Sequence, residues 1–418
     1  MKSEKLFRCM PSDEQLIPHL FRAEYRKIVS VLCRHFGFRE IELAEDIASD
    51  TFLVAAQAWG IEGAPPNPVG WLYTTAKNKA KNHLHRAAIY DEKVIPEVKA
   101  MQTDAGEADI DLSNTNIADS QLQMMFAVCH PAISEEAQVG LALRILCGFG
   151  VQEIADAFLT SKDVINKRLT RAKERLREEQ VSLAIPENAL MDSRLEPVLA
   201  TIYLLFNEGY YSLSNDQTVR QELCLEAIRL CTMLIENEAT NKPQVNALMA
   251  LMCFHTSRFQ ARTGPTGALV LYDEQDTELW NQDLIGKGGY FLQRSASGNQ
   301  VSRYHLEAGI AYWHTQKEDS TEKWVSILHY YDKLLHISYS PAAELNRIYA
   351  LSKAKGKERA IREAEKLGFT DNHFYYALLG ELYRDLDNKK AKECLQKALM
   401  LAKTEPERHI IRNRIDGL

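Results

Sequence analysis

The chain has 418 residues, more than a single hydrophobic core usually organises, so two or more domains are expected. Hydrophobic residues make up 45% and charged residues 26%, a globular balance that excludes wholesale disorder, while only 20 Gly and 13 Pro argue against a loop-rich all-β chain. The formal net charge of -7 excludes nucleic-acid binding driven by total charge, so any basic surface must be local.

Met1–Leu16 is charged and lacks an apolar run, so no signal peptide is expected. The longest apolar stretches, Val198–Phe206 and Val245–Phe254, fall short of the ~20 residues that span a bilayer. None of the eight cysteines forms a C-x-x-C pair. Cys253 with His255, and Cys129 with His130, lack a second pair nearby, so no metal site is expected. Scattered thiols in helical patterns read as small buried hydrophobes of a reducing compartment. The expectation is a cytoplasmic protein without membrane contact, cofactor or catalytic chemistry. No nucleophile elbow, P-loop or H-E-x-x-H is present.

Apolar residues recur at helical spacing throughout, without a run of period-2 alternation, so the fold class is all-α. Amphipathic helices run from Leu16 to about Ala88, with a Gly/Pro break expected at Gly60–Gly70. Within Leu43–Trp59, Leu43, Ile47 and Val54 lie near one face with Ala44, Ala48 and Ala55. Glu42, Asp46 and Asp50 fall at i, i+4, i+8 and make an acidic stripe, either a solvated face or a docking surface for a basic partner. In Val69–Arg86, Leu72, Ala76, Ala80 and Leu84 share a face. Lys77, Lys81 and His85 form a second stripe, and Asn78, Asn82 and Arg86 a third. Lysines can contact phosphates, Asn can pair with base edges, and Trp71 and Tyr73 can stack on unpaired bases.

From about Tyr90 to Asn116 the chain reads as an extended acidic linker, with Asp91, Glu92, Glu97, Asp104, Glu107, Asp109 and Asp111. Helices are expected from about Ala118 to Gln180. Val151–Phe158 predicts one helix, Leu159–Ser161 a turn, and Ile165, Leu169, Ala172 and Leu176 the buried stripe of a second helix N-capped by Ser161. The second helix is basic through Lys162, Lys167, Arg168, Arg171, Lys173, Arg175 and Arg177, the pattern of a helix-turn-helix with its recognition helix starting at Lys162. Behind a short break at Ser182–Asn188, the chain is helical to its end, with further breaks expected at Ser212–Asn215, Thr240–Pro243, Thr263–Gly267, Gly286–Gly289, Ser338–Pro341 and Thr370–His373. Tyr376, Leu379, Gly380, Tyr383, Ala391, Leu395 and Ala398 are spaced like a tetratricopeptide unit, and Ala350, Gly356, Ala360 and Ala364 repeat the outline.

The order and spacing of Ala44–Glu45–Asp46, Asp50, Phe52, Trp71–Leu72, Ala76–Lys77–Asn78, Ala80 and Arg86 resemble region 2 of the extracytoplasmic-function (ECF) sigma factors. Glu153–Ile154–Ala155, Arg168–Leu169–Thr170–Arg171–Ala172–Lys173 and Leu176–Arg177 resemble sigma region 4. Together the resemblances cover roughly residues 17–182. Ile202–Tyr211, Ala247–Arg262, Asp276–Trp280, Tyr304–Ala311, His314 and Ser340–Asn346 are similar to the C-terminal extension found in one ECF branch.

The resemblance implies that Glu42, Asp46 and Asp50 dock on the β′ clamp helices of core RNA polymerase, with the β flap as a further contact. It implies that Trp71, Lys77, Asn78, Lys81, Asn82, His85 and Arg86 hold a melted −10 element of promoter DNA. Lys162, Asn166, Lys167, Arg168 and Arg171 would bind duplex −35 DNA. The domains expected are residues 1–90 (region 2), 91–117 (acidic linker), 118–182 (region 4) and 195–418 (a TPR-like regulatory domain in intramolecular contact with the sigma modules). The implied function is a sigma factor directing promoter recognition. The alternatives are a stand-alone helix-turn-helix regulator with a ligand- or peptide-sensing domain, and a scaffold without a DNA role. Glu208, His255, Arg258, Asp273, Asp276, His305, Glu307 and His314 are the extension's candidate polar groups, and its aromatics, including Tyr203, Phe206, Tyr210, Tyr211, Trp280, Tyr304 and Trp313, are expected in the core.

Overall fold

A computed structural model of the chain describes residues 13–94, 110–158, 160–211, 217–262, 270, 272–316, 318–402 and 404–418. Every described element is helical, as expected, and no described helix is long and apolar enough to cross a membrane. The chain divides into two compact units, Met1–Thr240 and Asn241–Leu418. The division falls inside residues 195–418, which the sequence predicts as one domain.

The first unit contains α1 (Asp13–Phe36), α2 (Ile41–Glu62), α3 (Pro68–Val94), α4 (Asn114–Val128), α5 (Glu135–Leu141), α6 (Val151–Ala157), α7 (Lys162–Glu178), α8 (Met191–Tyr211) and α9 (Gln217–Glu236). Tyr25, Ile28, Val29 and Leu32 give α1 a fully buried stripe, against which α2, α3 and α4 pack. Leu72, Ala76 and Ala80 of α3 are also fully buried; burying a leucine side chain stabilises by about 1.5–3 kcal/mol. Leu84, expected to continue that face, is instead exposed, like its neighbours Lys81 to His85. The break after α2 is shorter than Gly60–Gly70. Gly60 to Glu62 are helical, Gly63 ends α2 with a positive φ of 78°, and Asn67 caps α3 by accepting from the Gly70 N–H at 3.0 Å.

The ends of the acidic linker are ordered. α3 continues to Val94, Ile110 is buried, and Ser113 caps α4 at Asn114 rather than near Ala118; residues 95–109 lie outside the described residues. The expected helical run to Gln180 is interrupted between α4 and α5 and again after a π-helical turn, Ala142–Leu146.

The second unit contains α10 (Pro243–Thr256), α11 (Phe259–Arg262), α12 (Gln282–Ser295), α13 (Arg303–Trp313), α14 (Thr321–Ile337), α15 (Pro341–Lys355), α16 (Lys357–Ala364), α17 (His373–Tyr383), α18 (Asn388–Leu401) and α19 (Glu405–Asp416). From α12 onward each helix packs on its successor in sequence, the arrangement of stacked helical hairpins. The small residues of the repeat pattern sit at these contacts: Ala350, Ala360, Ala364, Ala391 and Ala398 are buried, and a Cβ on Gly380 would lie 2.6 Å from Leu395 Cγ. Phe206, Tyr210, Trp280 and Tyr304 are core as expected, whereas Tyr203 and Trp313 are only half-buried and the Tyr211 side chain lies outside the described residues.

The expected breaks at Thr240–Pro243, Ser338–Pro341 and Thr370–His373 fall between helices, and those at Ser212–Asn215 and Thr263–Gly267 lie outside the described residues. Gly286–Gly289, by contrast, is inside α12. Gly288 is there for close approach: a Cβ would lie 2.5 Å from the fully buried Phe254 ring of α10. Gly286 is exposed and has nothing within 4 Å. Two alanine substitutions therefore should move stability in opposite directions. Gly286→Ala gains up to about 1 kcal/mol of helix propensity. Gly288→Ala loses about 1–2 kcal/mol net, because overpacking against a ring that cannot move exceeds that gain. Denaturant titration of the two variants checks the sign.

Candidate nucleic-acid and partner interface

α7 presents two sets of cations on different faces. Ser161 caps the helix, and Ile165, Leu169, Ala172 and Leu176 form its buried stripe, as the spacing predicts. Lys162, Asn166, Lys167 and Arg171 are exposed, with Arg168 half-buried beside them. Among the described residues, no ion pair engages Lys162, Lys167, Arg168 or Arg171. A groove of about 540 Å³ runs between α7 and the segment entering α5, lined among others by Ser134, Val164, Lys167, Arg168, Arg171 and Arg175. Unpaired guanidinium and ammonium groups along a groove are suited to phosphate oxygens. Arg175 is partly spent on Glu178 and Glu179.

The other set faces α2. Lys173 Nζ makes a short ion pair with Glu45, and Arg177 pairs with Glu42 at 2.9 Å and donates from Nε to the Arg39 carbonyl at 3.1 Å. Arg144, on the π-helical turn, reaches the other Glu45 oxygen at 3.4 Å and donates to Tyr25 Oη at 3.3 Å. Glu45 is only 8% exposed and bridges both cations. No role was read for Glu45 in the sequence. A signal existed: it falls among Ile41, Ala44, Ala48 and Phe52, an acid inside a buried stripe.

α9 adds a third tie. Glu226 accepts from Arg26 of α1 at 2.7 and 2.8 Å and pairs with Arg229 at 2.7 Å, while Arg229 donates to the Leu146 carbonyl at 2.6 Å. Burial pushes the Glu226 carboxyl up, but Arg229 and Arg26 outweigh it and hold the group below its ordinary range. α8 joins α4 and α5 through Arg194, which donates to the Phe126 carbonyl at 2.8 Å, and through Thr201, which donates to Gln138 at 3.1 Å.

On α3, Asn78, Lys81, Asn82 and His85 are exposed and Lys77 is half-buried; the Arg86 side chain lies outside the described residues. Trp71 is half-buried, edge-to-face with Trp59 at 5.4 Å. Tyr73 donates to Glu24 at 2.5 Å, so its hydroxyl is engaged within the bundle. Within the acidic stripe Glu42, Asp46 and Asp50 are all exposed; Glu42 meets Arg177, Asp50 lies 3.5 Å from Lys79, and Asp46 has no ion pair among the described residues. Six described cysteines are buried and Cys394 half-buried, burial pushes the Cys129 and Cys253 thiols up to about 12, and no group of three metal-ligating side chains occurs among the described residues.

The uncharacterized protein R00370 of Rhizobium meliloti is 30% identical over 389 residues, covering 91% of each chain. The chain belongs to the family of that protein. Residues 20–88, from α1 into α3, match Sigma-70 region 2, so the acidic helix and the Asn/Lys helix are parts of a sigma-70 region 2. The RNA polymerase sigma-H factor of Pseudomonas aeruginosa is 23% identical over 176 residues, 39% of this chain and 90% of that protein, which supports a place in the sigma-70 family. Residues 194–296, from α8 through α12, match a family of unknown function, DUF6596. No solved structure matches the chain.

Proposed function

We propose that the chain is an RNA polymerase sigma factor of the ECF type, with α6 and α7 as the helix-turn-helix of region 4 and a TPR-like C-terminal extension that regulates it. The observation that carries this reading is the pairing of a matched region 2, whose α3 exposes Asn78, Lys81, Asn82 and His85, with an α7 whose Lys162, Lys167, Arg168 and Arg171 lack ion pairs among the described residues. Asp46 and Asp50 would dock on core polymerase, α3 would hold the melted −10 strand, and α7 would bind the −35 duplex.

Regulation in this reading works through α2. Its Glu42 and Glu45 are engaged by Arg177 and Lys173, so the docking helix and the DNA helix are tied together, and α8–α9 of the extension reinforce the tie. Core polymerase would compete with α7 for the acidic face of α2.

Run-off transcription with purified core polymerase tests the reading. The full chain should suffice for initiation from its own promoter; a stand-alone regulator would need another sigma factor, and a scaffold would do nothing. Reversing Asp46 and Asp50 to Lys should abolish core pull-down with little loss of stability, since exposed charge changes usually cost under about 0.5 kcal/mol. Unchanged pull-down would remove α2 as the docking element.

A further inference from the structure

Among the described residues, two buried cations of the second unit have no carboxylate partner. Arg258, just after α10, is 8% exposed, and Lys323, at the start of α14, is 2% exposed. Lys323 Nζ donates to Tyr272 Oη and to the Gln316 carbonyl, both at 3.1 Å. The Arg258 guanidinium lies 5.4 Å from the centre of the Tyr272 ring, and its Nε is buried without a hydrogen-bond partner. Among the described residues neither cation has a carboxylate in ion-pair range. Glu322, next to Lys323 in sequence, is exposed and makes no ion pair with it, and Asp319 is taken by Trp324 Nε1 and lies 3.9 Å from Lys353. The residues of this unit outside the described set, 263–269, 271, 317 and 403, include no Asp or Glu.

The surroundings share the same imbalance. Tyr272 donates to the His314 carbonyl at 3.0 Å, with the two rings 5.0 Å apart, and stacks on Trp280 at 6.3 Å. The Asn281 N–H bonds the Ser257 carbonyl at 2.8 Å, which ties the residue after Trp280 to the residue before Arg258, and both side chains meet the Tyr272 ring. Trp280 Nε1 and His314 Nδ1 are buried without hydrogen-bond partners. Burial, then Arg258 and Lys323, hold His314 down to about 3, so the imidazole is neutral at pH 7 and adds no charge of its own. Buried ions are ordinarily paired, and an unpaired donor in low dielectric is costly.

We propose that Arg258, Lys323 and Trp280 form a binding site for a small oxyanion, a phosphate or carboxylate group, built into the C-terminal extension. A guanidinium fork, an ammonium and an indole N–H are donors only, which fits an acceptor-only group and rejects a cation. Packing the site from α10, the Tyr272 turn and α14 makes occupancy a way to brace this unit. The site stands whether or not the chain initiates transcription.

The full chain, exchanged into anion-poor buffer, is titrated with sodium phosphate or sodium acetate against sodium chloride at matched ionic strength, with thermal unfolding as readout. A saturable upward shift of several degrees with one or both oxyanions is expected, because a ligand that binds only the folded form stabilises it. Phosphate alone or acetate alone would identify the group. Arg258→Met and Lys323→Met should each abolish the shift and, without added anion, leave the protein as stable as or more stable than wild type, since the lone charge is gone. Arg168→Ala on α7 should keep the shift, which separates this site from phosphate bound along that groove. No saturable shift with either oxyanion overturns the proposal. So does a shift that survives both methionine variants, or marked destabilisation by both in anion-poor buffer, which would reveal an acid already pairing the cations.

Discussion

Glu45→Leu should lower the stability of the first unit by about 3 kcal/mol. The carboxylate is 8% exposed, and its removal leaves Lys173 and Arg144, with side chains 12% and 20% exposed, facing an apolar group. Breaking a buried pair from one side costs about 3–5 kcal/mol, and the partial exposure of Arg144 favours the lower end. Lys173→Met in the same background should return part of the loss, because both members of the short pair are then gone. A double-mutant cycle by urea denaturation measures the coupling; a loss under about 1 kcal/mol would show that Glu45 does not hold α7 to α2. The functional arm uses α7 alone, leaving α2 intact. Lys173→Met with Arg177→Met should raise core polymerase affinity if α7 competes for α2. Unchanged or weakened affinity would show that the tie supports the active arrangement instead.

The features legible in the sequence were those set by local periodicity. Ile165, Leu169, Ala172 and Leu176 gave the buried face of α7, Ser161 its cap, and Leu72, Ala76 and Ala80 the buried face of α3, because helical spacing fixes which side chains share a face. What depended on tertiary partners was not legible. Gly288 resembles a breaker in sequence, yet its missing side chain admits the Phe254 ring. Leu84 follows the apolar stripe but no helix covers it among the described residues. Arg144 is aimed at Glu45 from a π-helical turn, a local geometry with no periodic signature. The exposed cations of α7 were recognisable as a set; that Lys173 and Arg177 belong to a different face with a different partner emerged only when α2 was packed beside them.

That separation of faces leads to the second large effect, a division of labour on DNA. Arg168→Ala with Arg171→Ala should weaken binding to a duplex carrying the −35 element by about 10–100-fold at fixed salt, the usual range for losing strong base or phosphate contacts. If both residues contact phosphates, the slope of log affinity against log salt should fall by about 2, since each neutralised phosphate contributes about 0.9. Neither side chain has an ion pair among the described residues, so folding should be little changed. Asn78→Ala should do the reverse. Asn78 is exposed on region 2, away from the buried face of α3, and its amide suits the edge of an unstacked base. Initial duplex binding should therefore stay near wild type while permanganate reactivity of −10 thymines drops sharply in complexes with core polymerase. Trp71→Ala should also reduce melting, but with a stability loss of its own because its ring packs on Trp59, so Asn78 is the cleaner probe. Normal melting by the Asn78 variant would take the −10 strand off this face of α3, and normal duplex binding by the Arg168/Arg171 variant would take the −35 element off α7.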